Sequence, residues 1–177
     1  MIAWVAFTYK EVEYDLSHLH PVLIEYVQPG KAGLPAKNYA VEVCYSLHCF
    51  SKSLEANSDP LLNYSDARET RTFDFDRYEL SKLLPQIIHS LNTKKCMHTG
   101  KGNFFVVEVI TPNGNTEDYE IYFDVQRTGK SGVARLFIQS AYVRDPAHGN
   151  RLSTTKKISL FVILHNKLTG KSIKVQR

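Results

Sequence analysis

The residue types that metal-free RNA cleavage requires are concentrated in the second half of the chain. Transesterification needs a base for the 2′-hydroxyl proton, an acid for the leaving oxygen and cations for the developing phosphorane charge. His98 is the histidine placed for that work, in the run Lys95-Cys96-Met97-His98-Thr99-Gly100-Lys101-Gly102-Asn103. Backbone amides of this glycine-containing loop, with Lys101, could hold a phosphate. Arg127, Ser140 and Tyr142 are the matching candidates for charge stabiliser and acid, and Arg135 and Arg144 add cations on the same late strands. Each has a plainer alternative. Turn chemistry alone favours Gly and Asn in the loop, and an ion pair, rim cation or buried hydroxyl accounts for the rest.

Other chemistries fare worse. His48-Cys49 with Cys96-x-His98 supplies two Cys and two His, but adjacent strand residues point to opposite faces and no C-x2-C is present, so no zinc site is assigned. Gly129-Lys130-Ser131 is not a phosphate loop, because the required earlier glycine position holds Asp124. G-x-S-x-G, H-E-x-x-H and G-x-G-x-x-G are all absent. These absences disfavour nucleophile-elbow hydrolases, zincins and dinucleotide enzymes, and no cofactor is implied.

Charge points to an anionic partner. Residues 1–92 hold 8 Lys/Arg against 12 Asp/Glu, whereas residues 93–177 hold 14 against 6. RNA is the expected partner, with DNA or an acidic protein surface as alternatives. Lys95, Lys101, Lys130, Arg135, Arg144, Lys156, Lys157 and Lys171 form the expected footprint. Most of the 10 Tyr and 9 Phe must fill the core, leaving a few on which bases could stack. Three cysteines, an odd number, speak for a reducing cytoplasm over a disulfide framework. The apolar start, Ile2 to Phe7, is too short to span a bilayer and reads as a strand.

The elements that must carry these residues follow from periodicity. Val22–Val27 and the alternating run Asn38–Phe50 predict an N-terminal β-hairpin, and Ser51–Ser65 reads as a surface loop. From Phe73 the period lengthens: Leu80, Leu83, Leu84, Ile87, Ile88 and Leu91 share one helical stripe, with Asp74 or Asp76 as N-cap and Pro85 as a kink. Four strands are expected next, 103–111, 118–127, 133–144 and 157–166, and the tail from Lys167 could add a last short one. The whole is an α+β fold: one domain over 1–177, with a β-rich region at 1–65 and an amphipathic helix on a four-stranded antiparallel sheet at 74–166. Strand parity places Tyr119, Ile121, Phe123 and Val125 in the core, and Leu136, Ile138, Ser140, Tyr142 and Arg144 together on one face.

That element order, with basic and hydroxyl residues in YFDVQR (122–127) and LFIQSAYVR (136–144), resembles the assemblage of small ribonucleases and toxins that includes barnase, RelE-type and colicin-type nucleases. The resemblance covers residues 74–166 and implies a toxin- or defence-type endoribonuclease. The rival expectation is a non-enzymatic module that binds nucleic acid or protein through the basic C-terminal sheet. Oligomeric state is not legible.

Overall fold

The computed structural model describes residues 3–31, 33–55, 57–111, 114, 116–144 and 157–173. A short hairpin opens it, β1 (Phe7–Tyr9) and β2 (Val12–Tyr14). Lys10 and Glu11 turn this hairpin with positive φ, 47° and 66°, the backbone twist that a two-residue connection requires. There follow β3 (Val22–Gln28), β4 (Lys37–Tyr45), β5 (Ser51–Lys52), β6 (Asn63–Ser65) and β7 (Thr70–Phe73). Helices α1 (Phe75–Ser81) and α2 (Leu84–His89) come next, then β8 (Lys95–His98), β9 (Phe104–Ile110), β10 (Glu117–Arg127), β11 (Val133–Val143), β12 (Lys157–Ser159) and α3 (Leu160–Thr169).

Seven strands form one mixed, curled half-barrel in the order β12-β8-β9-β10-β11-β4-β3. Neighbours are antiparallel except β11 and β4, which run parallel with Val133 against Ala40 and Ile138 against Tyr45. The expected helix on a four-stranded antiparallel sheet is therefore incorrect. The hairpin β3-β4 does form, but it completes the main sheet instead of preceding it, so the first half of the chain supplies two of the seven strands. The stretch read as loop at 51–65 contributes β5 and β6, which flank β7 in a separate three-stranded sheet.

The expected strand 157–166 is mostly helix. Ser159 Oγ accepts from Val162 N, and Gly170 closes α3 at φ 71°, so a hydroxyl N-cap and a left-handed C-terminal glycine turn an apolar run with no clear period into helix. The earlier helix behaves as its residues dictate: Asp74 accepts from Arg77 N at its start, and Pro85, which cannot donate to the ladder, divides it into α1 and α2. Leu84, Ile88 and Leu91 of the stripe are fully buried, while Leu83, at the break, is 37% exposed.

The core face of the half-barrel gathers Val41, Val43, Tyr119, Ile121, Phe123, Val125, Leu136 and Ile138, with Leu160, Ile163 and Leu164 from α3 and Leu84 and Ile88 from α2. A second aromatic nest, in which Phe7 stacks on Phe73 at 4.1 Å, binds the opening hairpin to the small sheet. One irregularity decides which side chains face out. Pairing shifts between Tyr122 and Phe123, whose partners are Ser140 and Ile138, so Gln139 forms a bulge in β11. Beyond it the parity reverses. Ala141 enters the core, whereas Ser140, Tyr142 and Arg144 join Tyr122 and Glu120 on the outer face, correcting the expectation that they lie with Leu136 and Ile138.

Candidate functional site

β3 ends the seven-strand order, and β4 is the one strand that pairs with it among the described residues. Every second residue of such a strand directs its N–H and C=O away from its partner. No backbone hydrogen bond from another described segment occupies those groups. Several protective devices common on edge strands are missing here: the strand is seven residues long, contains no proline or lysine and has one charge, Glu25. Val22, Leu23 and Val27 are 47, 67 and 47% exposed.

Along the N-terminal half of this strand runs a groove of about 650 Å³. One wall is Val22 to Glu25; the other is Pro85 and His89 of α2 with the Ser17–Pro21 segment, and Tyr45 contributes to the lining. The walls are held at a fixed separation. Tyr26 Oη donates to the Ile88 carbonyl at 2.5 Å, and burial raises the Tyr26 phenol's pKa, so it remains a donor. His18 Nε2 lies 2.8 Å from Ser81 Oγ at the end of α1, and His20 Nε2 donates to the Trp4 carbonyl at 2.9 Å. Burial, the largest influence, lowers the pKa of His18, so the ring is neutral near pH 7. A strand edge facing a helix across an apolar slot can take up an extended peptide: main-chain bonds to β3 supply the attraction, and alternate side chains enter the slot.

The residues singled out from sequence are not assembled into one site. His98 lies on β8, 9% exposed, with its ring edge-on to Phe104 at 5.1 Å and its Nδ1 accepting from Gly100 N at 2.8 Å. Burial first, and the charge of Lys167 second, lower its pKa. Phe104 faces Phe123 in the core, so the sheet separates His98 from Ser140 and Tyr142 on the outer face. Arg127 is exposed at the end of β10. Arg135 donates twice to Glu42 Oε2, at 3.0 and 2.9 Å, and Lys130 lies 3.8 Å from the same carboxylate. Arg144 forms a two-pronged pair with Glu120, 1% exposed, at 2.8 and 3.0 Å. Carboxylates thus interrupt the cationic layer, and one of them comes from the acidic half. Lys95, Lys101, Lys157 and Lys171 are exposed, on separate elements; Lys156 lies outside the described residues.

An aromatic feature stands on the outer face. Phe105, Tyr122 and Tyr142 form a stacked ladder, with centroids 5.3 and 5.8 Å apart, and Arg77 lies over Tyr142 at 5.3 Å. Their faces are occupied by each other, which is cross-strand packing. His48 Nε2 is 2.8 Å from Glu69 Oε1, and burial pushes the thiols of Cys49 and Cys96 up to about 12. The described residues contain no group of three His, Cys, Asp or Glu suited to a metal ion. Sequence reasoning placed Val22–Val27 in a hairpin but did not find its open edge, because the strand's place in the sheet order is set by tertiary pairing.

Comparison with known proteins adds a family. The YjaZ family model matches residues 6–168. Protein YjaZ of Escherichia coli strain K12 is 32% identical over 164 residues, covering 90% of this chain and 87% of that protein. No solved structure matches. The match overturns the resemblance to small ribonucleases and toxins, which rested on element order that the chain does not have.

Proposed function

The chain belongs to the YjaZ family, and from the groove's geometry we propose that it is a protein-interaction module that binds an extended peptide segment by strand addition to β3. The observation that carries this reading is the open edge of β3 set against α2 across a groove of about 650 Å³. The volume lies within the range of sites that enclose a ligand's side chains. A peptide there gains backbone hydrogen bonds along β3 and buries alternate aliphatic side chains against Ile24, Tyr45 and Pro85. RNA cleavage at His98 has less support, since its ring is enclosed and lies across the sheet from Ser140 and Tyr142. No helix among the described residues is long and apolar enough to cross a membrane. The unpaired Cys44, Cys49 and Cys96 favour placing the module in a reducing compartment, the cytoplasm.

Binding of a fluorescent eight-residue peptide of alternating Val and Thr, followed by anisotropy, tests the reading. Methylating the backbone nitrogens at alternate positions removes donors from one edge without changing the side chains. Loss of binding for one alternate set and retention for the other is the expected result. Equal affinity for all three peptides overturns strand addition.

A further inference from the structure

Strand addition fixes which residue of the occupant meets which residue of β3, and one residue there is charged. Glu25 lies mid-strand on the outer face, between Leu23 and Val27. Asn38 Nδ2 donates to its Oε1 at 2.9 Å, and no described residue hydrogen-bonds its Oε2. On an added strand, the side chain directly opposite Glu25 projects to the same face and comes within about 5 Å of it. Side chains opposite Leu23 and Val27 meet exposed aliphatic surface, and those opposite Ile24 enter the groove.

We propose, on the reading that β3 accepts a strand, that its partner is a basic-apolar segment carrying Lys or Arg opposite Glu25 with aliphatic residues on both sides. Two arguments select this occupant. Opposite charges across a strand pair attract and like charges repel, and Glu25 is the strand's single charge. A second copy of this chain is disfavoured by the same residue: antiparallel β3–β3 pairing over Val22–Gln28 is centred on Glu25 and sets the two carboxylates face to face.

Two acetylated, amidated peptides of alternating Val and Thr, one with a central Lys and the other with a central Glu, test this against wild-type protein, Glu25→Gln and Glu25→Lys. Glu25 is exposed, so both variants fold. The Lys peptide should bind wild type about fivefold more tightly than the Glu peptide, the preference should vanish in Glu25→Gln, and it should invert in Glu25→Lys. Equal binding of both peptides by all three proteins overturns the charge selection and leaves strand addition standing. If neither peptide binds any of the proteins, both readings are overturned.

Discussion

Tyr26 and Ile88, 62 residues apart in sequence, are joined by a 2.5 Å hydrogen bond from phenol to carbonyl. The bond satisfies a carbonyl in the last turn of α2, where intrahelical partners run out, and it ties the edge strand to the opposite wall of the groove. Together with the His18–Ser81 and His20–Trp4 contacts, this buried side chain, 2% exposed, fixes the separation of the walls.

Tyr26→Phe retains the ring and removes the bond, leaving the Ile88 carbonyl with only the Ser90 backbone N–H. Unfolding free energy should fall by about 1–3 kcal/mol, measured by urea denaturation. Amide exchange in α2 should quicken, because the last turn loses its anchor.

Leu23→Asp places a charge on a side chain that is 67% exposed. Stability should change by no more than about 0.5 kcal/mol, whereas peptide affinity should drop several-fold through the loss of an aliphatic contact beside Glu25. Unchanged affinity by anisotropy would place the peptide elsewhere.

Acid should destabilise the fold through His18 and His98. Burial lowers both pKa values in the folded state below the ordinary value near 6.5. Between the depressed folded value and 6.5 the unfolded chain therefore binds more protons, so stability rises with pH. The contribution is complete above about pH 6.5 and is lost as pH falls through that window. The urea midpoint should decline between pH 7 and 5, and the decline should be shallower in His98→Gln.

Glu120 and Arg144 form a pair with one partner almost wholly enclosed, and Tyr122 Oη donates to the same carboxylate at 2.7 Å. Glu120→Ala removes the acceptor that the guanidinium and the phenol share, while Arg144 keeps its 3.2 Å bond to Tyr122 Oη, and the expected loss is about 1–3 kcal/mol. Glu42→Ala should cost less, since its partners Arg135 and Lys130 are 42 and 72% exposed and can rehydrate.

Local signals in the sequence were legible where one residue dictates one outcome. Asp74 caps α1 and Pro85 breaks the helix as their chemistry requires, and the core parity of Tyr119 to Val125 follows from strand alternation. What failed was non-local. The parallel pairing of β11 with β4 joins segments about a hundred residues apart and leaves no periodic trace. The bulge at Gln139 reverses the faces of Ser140, Tyr142 and Arg144 without glycine or proline to announce it. In 157–166, continuous apolarity concealed the helix, although Ser159 and Gly170 marked both its ends. The basic half looked like a phosphate-binding surface because charge counts do not reveal partners; Glu42 meets Arg135 only through that long-range parallel pairing. The edge of β3 could not be read either, since a strand's place in the sheet order is set by tertiary pairing.

Amide hydrogen–deuterium exchange across Val22–Gln28, with and without saturating Lys-centred peptide, tests strand addition most directly. Alternate amides of β3, those directed away from β4, should become protected on binding while the amides of β10 and β11, which are paired on both sides, remain as they were. A bound peptide that leaves β3 exchange unchanged would contradict the account.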